Sequence, residues 1–347
     1  MSVCFVTSLL HAEKPIETDS SKMELFRRRW QRYLIFRTQN FAQRLFLYDG
    51  QPYNKTMPYN FTHALVGLTA KKHFSPEIAA LVDAYPDLFR IGTMGPDPYF
   101  GDAMPKPLFA PCRVDLADKL HKLDMRVLFV AMLPLARGND ALCAYVLGFL
   151  CHFVLDTTAH PYIEARFAGK AHTPAEIQMD LMMADRIALP GVPTPPKQFY
   201  QTDHLFELDA FHAALAKSLF SLETKGVFRR SFRKWIAVNT LSFDPQNRKL
   251  RFFGALERFF DASGKITGYL VSRHPDPNDR LNTSRDVWHA PWEPHCSRTE
   301  SFVDLFDRAC AETPELLRAA YVALQAGELN EKALIAIGAR RMDARPV

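Results

Sequence analysis

The residues best suited to chemistry lie in residues 151–161, which read C-H-F-V-L-D-T-T-A-H-P. Here His152, Asp156 and His160 recur at intervals of four, inside an apolar run that begins near Ala141. On an α-helix this spacing places all three side chains on one face. Two imidazoles and a carboxylate are costly to bury unless they are paired or bind a cation. The stripe therefore indicates either a metal site or a hydrogen-bonded polar core, and the motif alone leaves both open.

Further potential ligands occur along the first half of the chain. They are His63, Asp97, His121, His172 and Glu176. With the stripe they make five imidazoles and three carboxylates, a mixture that suits zinc better than calcium or magnesium. Eight ligands are too many for one four-coordinate ion and enough for two or three. A competing interpretation applies to Glu176, because Thr173, Pro174 and Glu176 also spell a helix-capping box.

Helical periodicity predicts the elements that must position these residues. Helices are expected over residues 62–83, 114–133 and 173–189, and a central helix over the stripe, capped at its start by Asn139. Pro161 is expected to disturb or end the central helix near His160. Asp97 is expected in an irregular loop, because Pro98 disfavours helical backbone in the residue before it.

The second half of the chain continues in the same helical pattern. Helices are predicted over residues 203–223, 227–241, 247–273, 300–326 and 330–341. Between them, residues 274–298 form a long loop that suits a lid or a cover over the core. No alternating β pattern of useful length occurs, so the fold class is predicted to be all-α.

Composition limits the class of protein. Of 347 residues, 48% are apolar and 23% are charged, which is ordinary for a soluble globular protein with a sizeable core. The formal net charge of +5 predicts no specific nucleic-acid partner. Six cysteines without a C-x-x-C pair indicate a reducing compartment. With no run of about twenty apolar residues and no signal-peptide pattern, we expect a cytoplasmic protein without a transmembrane segment.

Residues 1–56 differ from the rest and are expected to form an N-terminal extension. Within it, residues 23–48 interleave arginines with aromatic and aliphatic residues. Such a basic amphipathic helix could make weak contact with an anionic membrane surface. The alternative is a poorly packed extension, or residues upstream of the native start. Residues 57–347 are expected to form one all-α domain.

Several compact catalytic motifs are absent. The chain has no H-E-x-x-H, no H-D dipeptide and no helical E-x-x-H pair, which disfavours zincins, HD phosphohydrolases and di-iron bundles. It also lacks G-x-S-x-G, Walker A and G-x-G-x-x-G, which disfavours common serine hydrolases, P-loop proteins and dinucleotide-binding enzymes. What remains is the scattered set of histidines and carboxylates.

In their order along the chain, these residues resemble the zinc-dependent phospholipase C family. The resemblance rests on H-A-L-V-G at 63–67, G-P-D at 95–97, the helical His121, G-F-L-C-H-F-V-L-D-T-T-A-H-P-Y-I at 148–163 and H-x-x-x-E at 172–176. It covers about residues 57–320, and the chain resembles more closely a bacterial branch of the family whose members begin near M-P-x-x-T-H. The family implies an all-α, multi-helix bundle of the phospholipase C and P1 nuclease type, with a zinc cluster.

The resemblance also implies how the ligands are shared among two or three zinc ions. One ion would be held by Asp97, His121, His152 and Asp156, and a second by His160, His172 and Glu176. A third would use His63 and a bridging Asp156, completed in the family by the mature N-terminal residue. In this chain sixty-two residues precede His63, so that third ion requires a start at Met57 and a free amine at Pro58. The step from Asp156 to His160 is also shorter than in secreted phospholipases.

The activity implied by the resemblance is metal-assisted phosphoester hydrolysis. Zinc is expected to offset negative charge in the transition state and to lower the pKa of a water molecule. Asp97 is the candidate general base or water-orienting group, and otherwise a ligand. The head group of a phospholipid, or another phosphoester, is expected against Tyr99, Phe100 or Phe149. Two alternatives remain: a nuclease or nucleotidase on the same fold, and a non-catalytic, zinc-stabilised helical protein.

Overall fold

The computed structural model of the chain describes residues 47–48, 51–52, 61–103, 113–190, 192–259 and 266–347. These residues all belong to the unit Leu45–Val347. The predicted extension, residues 1–56, therefore lies outside the described residues, except for an antiparallel pair of two-residue strands. That pair consists of Leu47–Tyr48 (β1) and Gln51–Pro52 (β2). Membrane contact through residues 23–48 stays a prediction.

Apart from this strand pair, the described residues form helices and loops, which confirms the all-α class. The α-helices are α1 (Phe61–Ala70), α2 (Pro76–Ala84), α3 (Pro86–Gly92), α4 (Asp115–His121), α5 (Met125–Ala136), α6 (Asp140–Phe167), α7 (His172–Ile187), α8 (Pro196–Phe199), α9 (Leu205–Phe220), α10 (Val227–Ser242), α11 (Arg248–Phe259), α12 (Phe302–Ala326) and α13 (Glu331–Ile337). Short 3₁₀ helices occur at Lys71–His73, Asp97–Ala103, Gly169–Ala171 and Thr267–Tyr269. Residues 274–298 contain no helix, as predicted.

Helix α6 is the centre of the fold, and its residues from Ala141 to Asp156 are all buried. Asn139 caps its start by accepting a hydrogen bond from the backbone N–H of Leu142 at 3.0 Å, as predicted. Pro161 was expected to disturb or end the helix; the second of these outcomes is wrong, because α6 continues to Phe167. A proline inside a helix costs about 3 kcal/mol, and here burial of the surrounding turn in the core offsets that cost.

In length and apolar composition, α6 resembles a membrane-spanning helix. It is the one helix among the described residues with this property, and it lies inside the protein, where its apolar window is almost wholly covered. Its apolar surface is therefore matched by neighbouring helices of the same chain.

Two of the predicted helices are each divided in two. The helix expected over 62–83 is α1 and α2, separated by a 3₁₀ turn and by Ser75, after which Pro76 starts α2. The helix expected over 114–133 is α4 and α5, because the Asp124 side chain caps α5 by accepting from the backbone N–H of Arg126 at 2.9 Å. Local capping thus interrupts a continuous amphipathic pattern, and His121 becomes the last residue of α4.

Helices α3 and α6 cross with their backbones in contact. A Cβ atom added to Gly148 would lie 2.1 Å from the carbonyl oxygen of Phe89, and one added to Gly92 would lie 2.1 Å from that of Tyr145. Only glycine fits at both positions. Because Gly92 ends α3, the crossing fixes the turn that follows, residues 93–96, against the middle of α6. The 3₁₀ helix that starts at Asp97 comes directly after this turn, so Asp97 is not in the irregular backbone expected for it.

A buried hydrogen-bonded cluster holds that 3₁₀ helix in place. The hydroxyl of Tyr99 lies 3.1 Å from Nδ1 of His212, and the hydroxyl of Tyr145 lies 2.7 Å from Nε2 of the same ring. Phe228 stacks on the imidazole with ring centroids 3.8 Å apart. Burial lowers the pKa of His212 to about 3, so the ring is neutral. The cluster ties the segment after Asp97 to both α6 and α9.

Replacing Gly148 by alanine should destabilise the fold. The new methyl group would press on the Phe89 carbonyl, and overpacking of this kind costs about 1–3 kcal/mol or more. Urea denaturation followed by circular dichroism measures the change. Gly254→Ala in α11 is the matched control, since its nearest atom outside α11 would lie 3.9 Å away. That variant should be neutral, or stabilised by up to about 1 kcal/mol. Equal stabilities would contradict the close crossing.

Acid should destabilise the fold through His212. Its folded pKa of about 3 lies below the ordinary value of 6.5, so on acidification the unfolded chain binds a proton that the folded chain does not. The contribution of the neutral ring is complete above pH 6.5 and is lost as the pH falls towards 3, by up to about 1.4 kcal/mol per unit.

The His212→Gln variant tests this dependence. It should be less stable than the wild type at neutral pH, and the difference in unfolding free energy should shrink as the pH is lowered towards about 5. Subtracting the unfolding free energy of the variant from that of the wild type cancels the contributions of groups that titrate in both proteins. A difference that does not change with pH would rule out the neutral, buried imidazole.

Candidate metal centre

The carboxylate of Asp156 lies at the centre of four imidazole rings. Its Oδ2 atom is 3.0 Å from Nε2 of His152 and 3.6 Å from Nε2 of His121. Its Oδ1 atom is 3.5 Å from Nε2 of His63 and 3.8 Å from Nε2 of His160. Histidines of helices α1, α4 and α6 therefore all lie next to one buried carboxylate.

All eight residues predicted as ligands meet in this region of the structure. Their ligand atoms form three groups, each with all atoms within 4.8 Å of one another. The groups are His63, His152 and Asp156; Asp97, His121 and His152; and His160, His172 and Glu176. The region therefore offers several places where a cation would meet three nitrogen or oxygen donors.

Three of the imidazoles are oriented by backbone carbonyl groups. Each donates its Nδ1 hydrogen to a carbonyl oxygen, which leaves Nε2 directed at the carboxylates. The pairs are His121 with Ala117 at 2.7 Å, His152 with Thr93 at 3.3 Å and His160 with Met342 at 2.7 Å. Fixing the ring and its tautomer in this way is typical of histidine metal ligands. The Thr93 carbonyl lies in the turn that the crossing of α3 and α6 holds in place.

Polar atoms without hydrogen-bond partners provide a test of whether a metal fits here. Nδ1 of His63, Nε2 of His152 and Oδ2 of Asp156 are buried and have no well-aligned hydrogen bond among the described residues. Nε2 of His152 and Oδ2 of Asp156 lie 3.0 Å apart, but they are poorly aligned for a hydrogen bond. Leaving such atoms unpaired is costly, and a cation bound by Nε2 of His152 and Oδ2 of Asp156 would remove the cost for those two atoms. The donor set, nitrogen with carboxylate oxygen, fits zinc.

The charges of the site favour a cation as well. Burial alone raises the pKa of Asp156, but His152 and His160 together hold it well below its usual range. Burial also lowers the pKa of His152, yet the carboxylates of Asp156 and Asp97 raise it to about 9. Burial and the neighbouring His152 lower the pKa of His63 to about 3. Without metal, a proton on His152 therefore balances part of the charge of the two carboxylates, and a metal ion would take its place.

The helix-capping interpretation of Glu176 is wrong. Helix α7 begins at His172 and no side chain caps it, so Thr173 does not act as the N-cap. Instead Oε1 of Glu176 lies 3.1 Å from Nε2 of His172 and 3.9 Å from Nε2 of His160. On its other side the His172 ring faces Glu164, with 3.6 Å between Nδ1 and the carboxylate.

A cavity opens beside this centre. Its polar lining residues are Thr62, His63, Asp156, His160, Glu176 and Asp180, and its apolar ones are Leu155, Ala159, Ile163, Met179 and Phe302. The aromatic residues expected to hold a substrate head group, Tyr99, Phe100 and Phe149, are not among them and are buried. That expectation is therefore wrong, because sequence proximity to a ligand does not place a side chain in the cavity. Phe302 of α12 lies there instead.

Asp180 is a residue of this cavity that sequence analysis missed. Its Oδ1 atom accepts hydrogen bonds from the backbone N–H of Thr62, at 2.8 Å, and from the Thr62 hydroxyl. Its Oδ2 atom is buried without a well-aligned partner. Burial, reinforced by the charge of Glu176, raises the pKa of Asp180 well above its usual range. The sequence signal was present, since His172, Glu176 and Asp180 repeat the four-residue spacing of the α6 stripe.

By holding Thr62, Asp180 anchors the first turn of α1 and so positions His63. Asp180→Ala should cost about 1–3 kcal/mol of unfolding free energy, because it leaves the buried N–H of Thr62 without an acceptor. Asp180→Asn keeps an oxygen at that position and should cost less. Urea denaturation of both variants measures the effect. Equal losses in the two variants would show that the bond to Thr62 contributes nothing.

Comparison with known proteins agrees with this geometry. Residues 60–226 match the family described as zinc dependent phospholipase C. The matched segment contains all eight predicted ligands and Asp180. Neither the curated proteins nor the solved structures give a significant match to the chain. The metal implied by the family is zinc, which the nitrogen and carboxylate groups around Asp156 fit. Over residues 60–226, just under half of its length, this chain is similar to the zinc-dependent phospholipase C family.

Proposed function

We propose that this protein is a zinc-dependent phosphoester hydrolase that acts on phospholipids in the manner of a phospholipase C. The observation that carries the proposal is the convergence of four imidazoles on the buried carboxylate of Asp156. Similarity to the family supports both zinc and phospholipid.

We assign the ligands to at least two ions. Asp97, His121 and His152 hold the first ion together with Asp156. His160, His172 and Glu176 hold the second. The third group consists of His63, His152 and Asp156, and it shares His152 with the group that holds the first ion. The Nε2 atom of one histidine can bind only one ion at a time. A third ion at His63 would therefore have only Asp156 as its other ligand among the described residues, and would need further donors.

Asp97 is better suited to be a ligand than a general base. It is 2% exposed and lies 3.3 Å from Nε2 of His121, and it does not line the cavity. A general base must reach the proton that it removes. His63 and Asp180 do line the cavity and hold neither of the two assigned ions, so they are placed to bind substrate or to move a proton there. Zinc in the adjoining groups would supply positive charge for a phosphate and lower the pKa of a water molecule.

The cavity supports a phospholipid better than a nucleotide as substrate. Its lining combines aliphatic side chains, Leu155, Ile163 and Met179, with four of the proposed ligands, His63, Asp156, His160 and Glu176. This combination matches a molecule with a phosphate next to an apolar glyceride. Binding of nucleotide bases relies on stacking against aromatic rings, and Phe302 is the one aromatic residue, other than histidine, among the described lining residues.

Asp156→Asn should lower the zinc content and abolish hydrolysis. Removing one charge from the carboxylate shared by four imidazoles weakens the binding of the first ion, and we expect activity to fall more than about a hundredfold. Zinc content by elemental analysis and turnover of phosphatidylcholine, of a nucleotide and of a phosphomonoester are the measurements. Asp185→Asn, an exposed carboxylate of α7 paired with Arg273, is the matched control and should keep both properties.

The outcomes separate the candidate functions. Full zinc occupancy in Asp156→Asn would refute the ligand assignment. Faster turnover of nucleotides than of phospholipids would favour a nuclease or nucleotidase. Zinc-loaded wild-type protein that hydrolyses none of the substrates would indicate a structural role for the metal.

A further inference from the structure

Helix α11 exposes a face with an unusual composition. Its exposed residues recur at helical spacing and define what we call the α11 face: Arg248, Arg251, Phe252, Ala255, Arg258 and Phe259. Phe252 is 65% exposed and Phe259 is 51% exposed. Solvent-facing helix surfaces are usually polar, so two large aromatic side chains among three arginines are costly in water.

The α11 face has no negative charge of its own. The one carboxylate of the helix, Glu257, is buried and points away from the face. It accepts hydrogen bonds from the backbone N–H of Thr267 at 3.1 Å and from the Thr267 hydroxyl at 2.6 Å. The positive charge of the arginines is therefore not balanced by a carboxylate on the same face.

A further apolar side chain lies next to the start of α11. Leu241, at the end of α10, is 72% exposed. The ammonium group of Lys249 donates to the carbonyl oxygens of Leu241 and Phe243, which ties this end of α10 to α11. The exposed apolar surface thus continues beyond the helix and stays bordered by basic side chains.

The surroundings of α11 connect it to the cavity. Glu257 holds the 3₁₀ helix Thr267–Tyr269, and this 3₁₀ helix packs against α7. Helix α7 carries Glu176 and Asp180, which line the cavity. A surface that binds through α11 is therefore linked by direct packing to the helix that supplies two of the cavity residues.

We propose that the α11 face, with Leu241, docks onto an anionic phospholipid surface. Arginines would contact the phosphate groups while Phe252 and Phe259 enter the boundary between head groups and acyl chains, as basic amphipathic helices do. A second copy of this chain is a poor occupant because like-charged faces repel each other. The choice of lipid rests on the proposed function, but docking is measured without turnover.

Sedimentation with vesicles tests the proposal. Zinc-loaded, full-length protein should bind vesicles of phosphatidylcholine with about 30% phosphatidylserine at least about tenfold more tightly than vesicles of phosphatidylcholine alone, and added salt should weaken the binding. Phe252→Ser/Phe259→Ser and Arg251→Glu/Arg258→Glu should each weaken binding to the anionic vesicles at least about tenfold.

The matched control is Arg318→Glu/Val322→Ser on α12, which also changes an exposed arginine and an exposed apolar residue. It should bind like the wild type. All three double variants should keep the circular dichroism and the zinc content of the wild type. If the wild type binds anionic vesicles but hydrolyses no phosphoester, the proposed function fails and docking stands.

Three results would overturn docking. The first is equal binding of the wild type to neutral and anionic vesicles, and the second is binding that neither double variant weakens. The third is tighter binding to double-stranded DNA than to anionic vesicles, lost in the arginine variant and kept in the phenylalanine variant. This third result would make the α11 face a nucleic-acid site, since phosphate contacts need the arginines and not the aromatic rings.

Discussion

Burying the carboxylate of Asp156 in the middle of an apolar helix is the constraint on which the rest of this structure depends. An ionised carboxylate in such a place is stable only if positive charge or several donors surround it. Here α1, α4 and α6 each supply at least one imidazole to it. The fold can therefore be understood as an arrangement in which the start of α1 and the end of α4 lie near one point in the middle of α6. Metal binding and folding are then expected to be coupled, because the ligands come from distant parts of the chain.

The proposed ligands could be picked out from the sequence because most of them follow a helical repeat. His152, Asp156 and His160 share a face of α6 whatever the packing around them, and His172 with Glu176 share a face of α7. Asp180 lies four residues after Glu176 and so continues that second stripe. It was missed because Glu176 was considered as part of a helix-capping box, which drew attention away from the residues that follow it. The all-α class could be predicted equally well, since that prediction requires only the spacing at which apolar residues recur.

Other features of the site carry little or no sequence signal. The carbonyl groups that orient three imidazoles belong to Thr93, Ala117 and Met342, and every residue has a carbonyl. The continuation of α6 through Pro161 and the break between α4 and α5 at Asp124 were also not predicted. At Pro161, packing in the core outweighs the cost of a proline inside a helix. At Asp124, the side chain that caps α5 outweighs the amphipathic pattern that continues through both helices. Sequence periodicity identifies which residues share a face, but it does not weigh such competing energies.

The hydrogen bond from His160 to the carbonyl of Met342 has a consequence for the order in which this protein matures. A growing chain leaves the ribosome from its N-terminus, so His160, His172 and Glu176 emerge long before residue 342. Until that residue arrives, the carbonyl group that fixes the tautomer of the His160 ring is missing. The backbone N–H of Asp343 also donates to the carbonyl of His121, at 3.3 Å. We therefore expect the proposed zinc ligands His160 and His121 to take up their final arrangement only after residues 342–343 have been made.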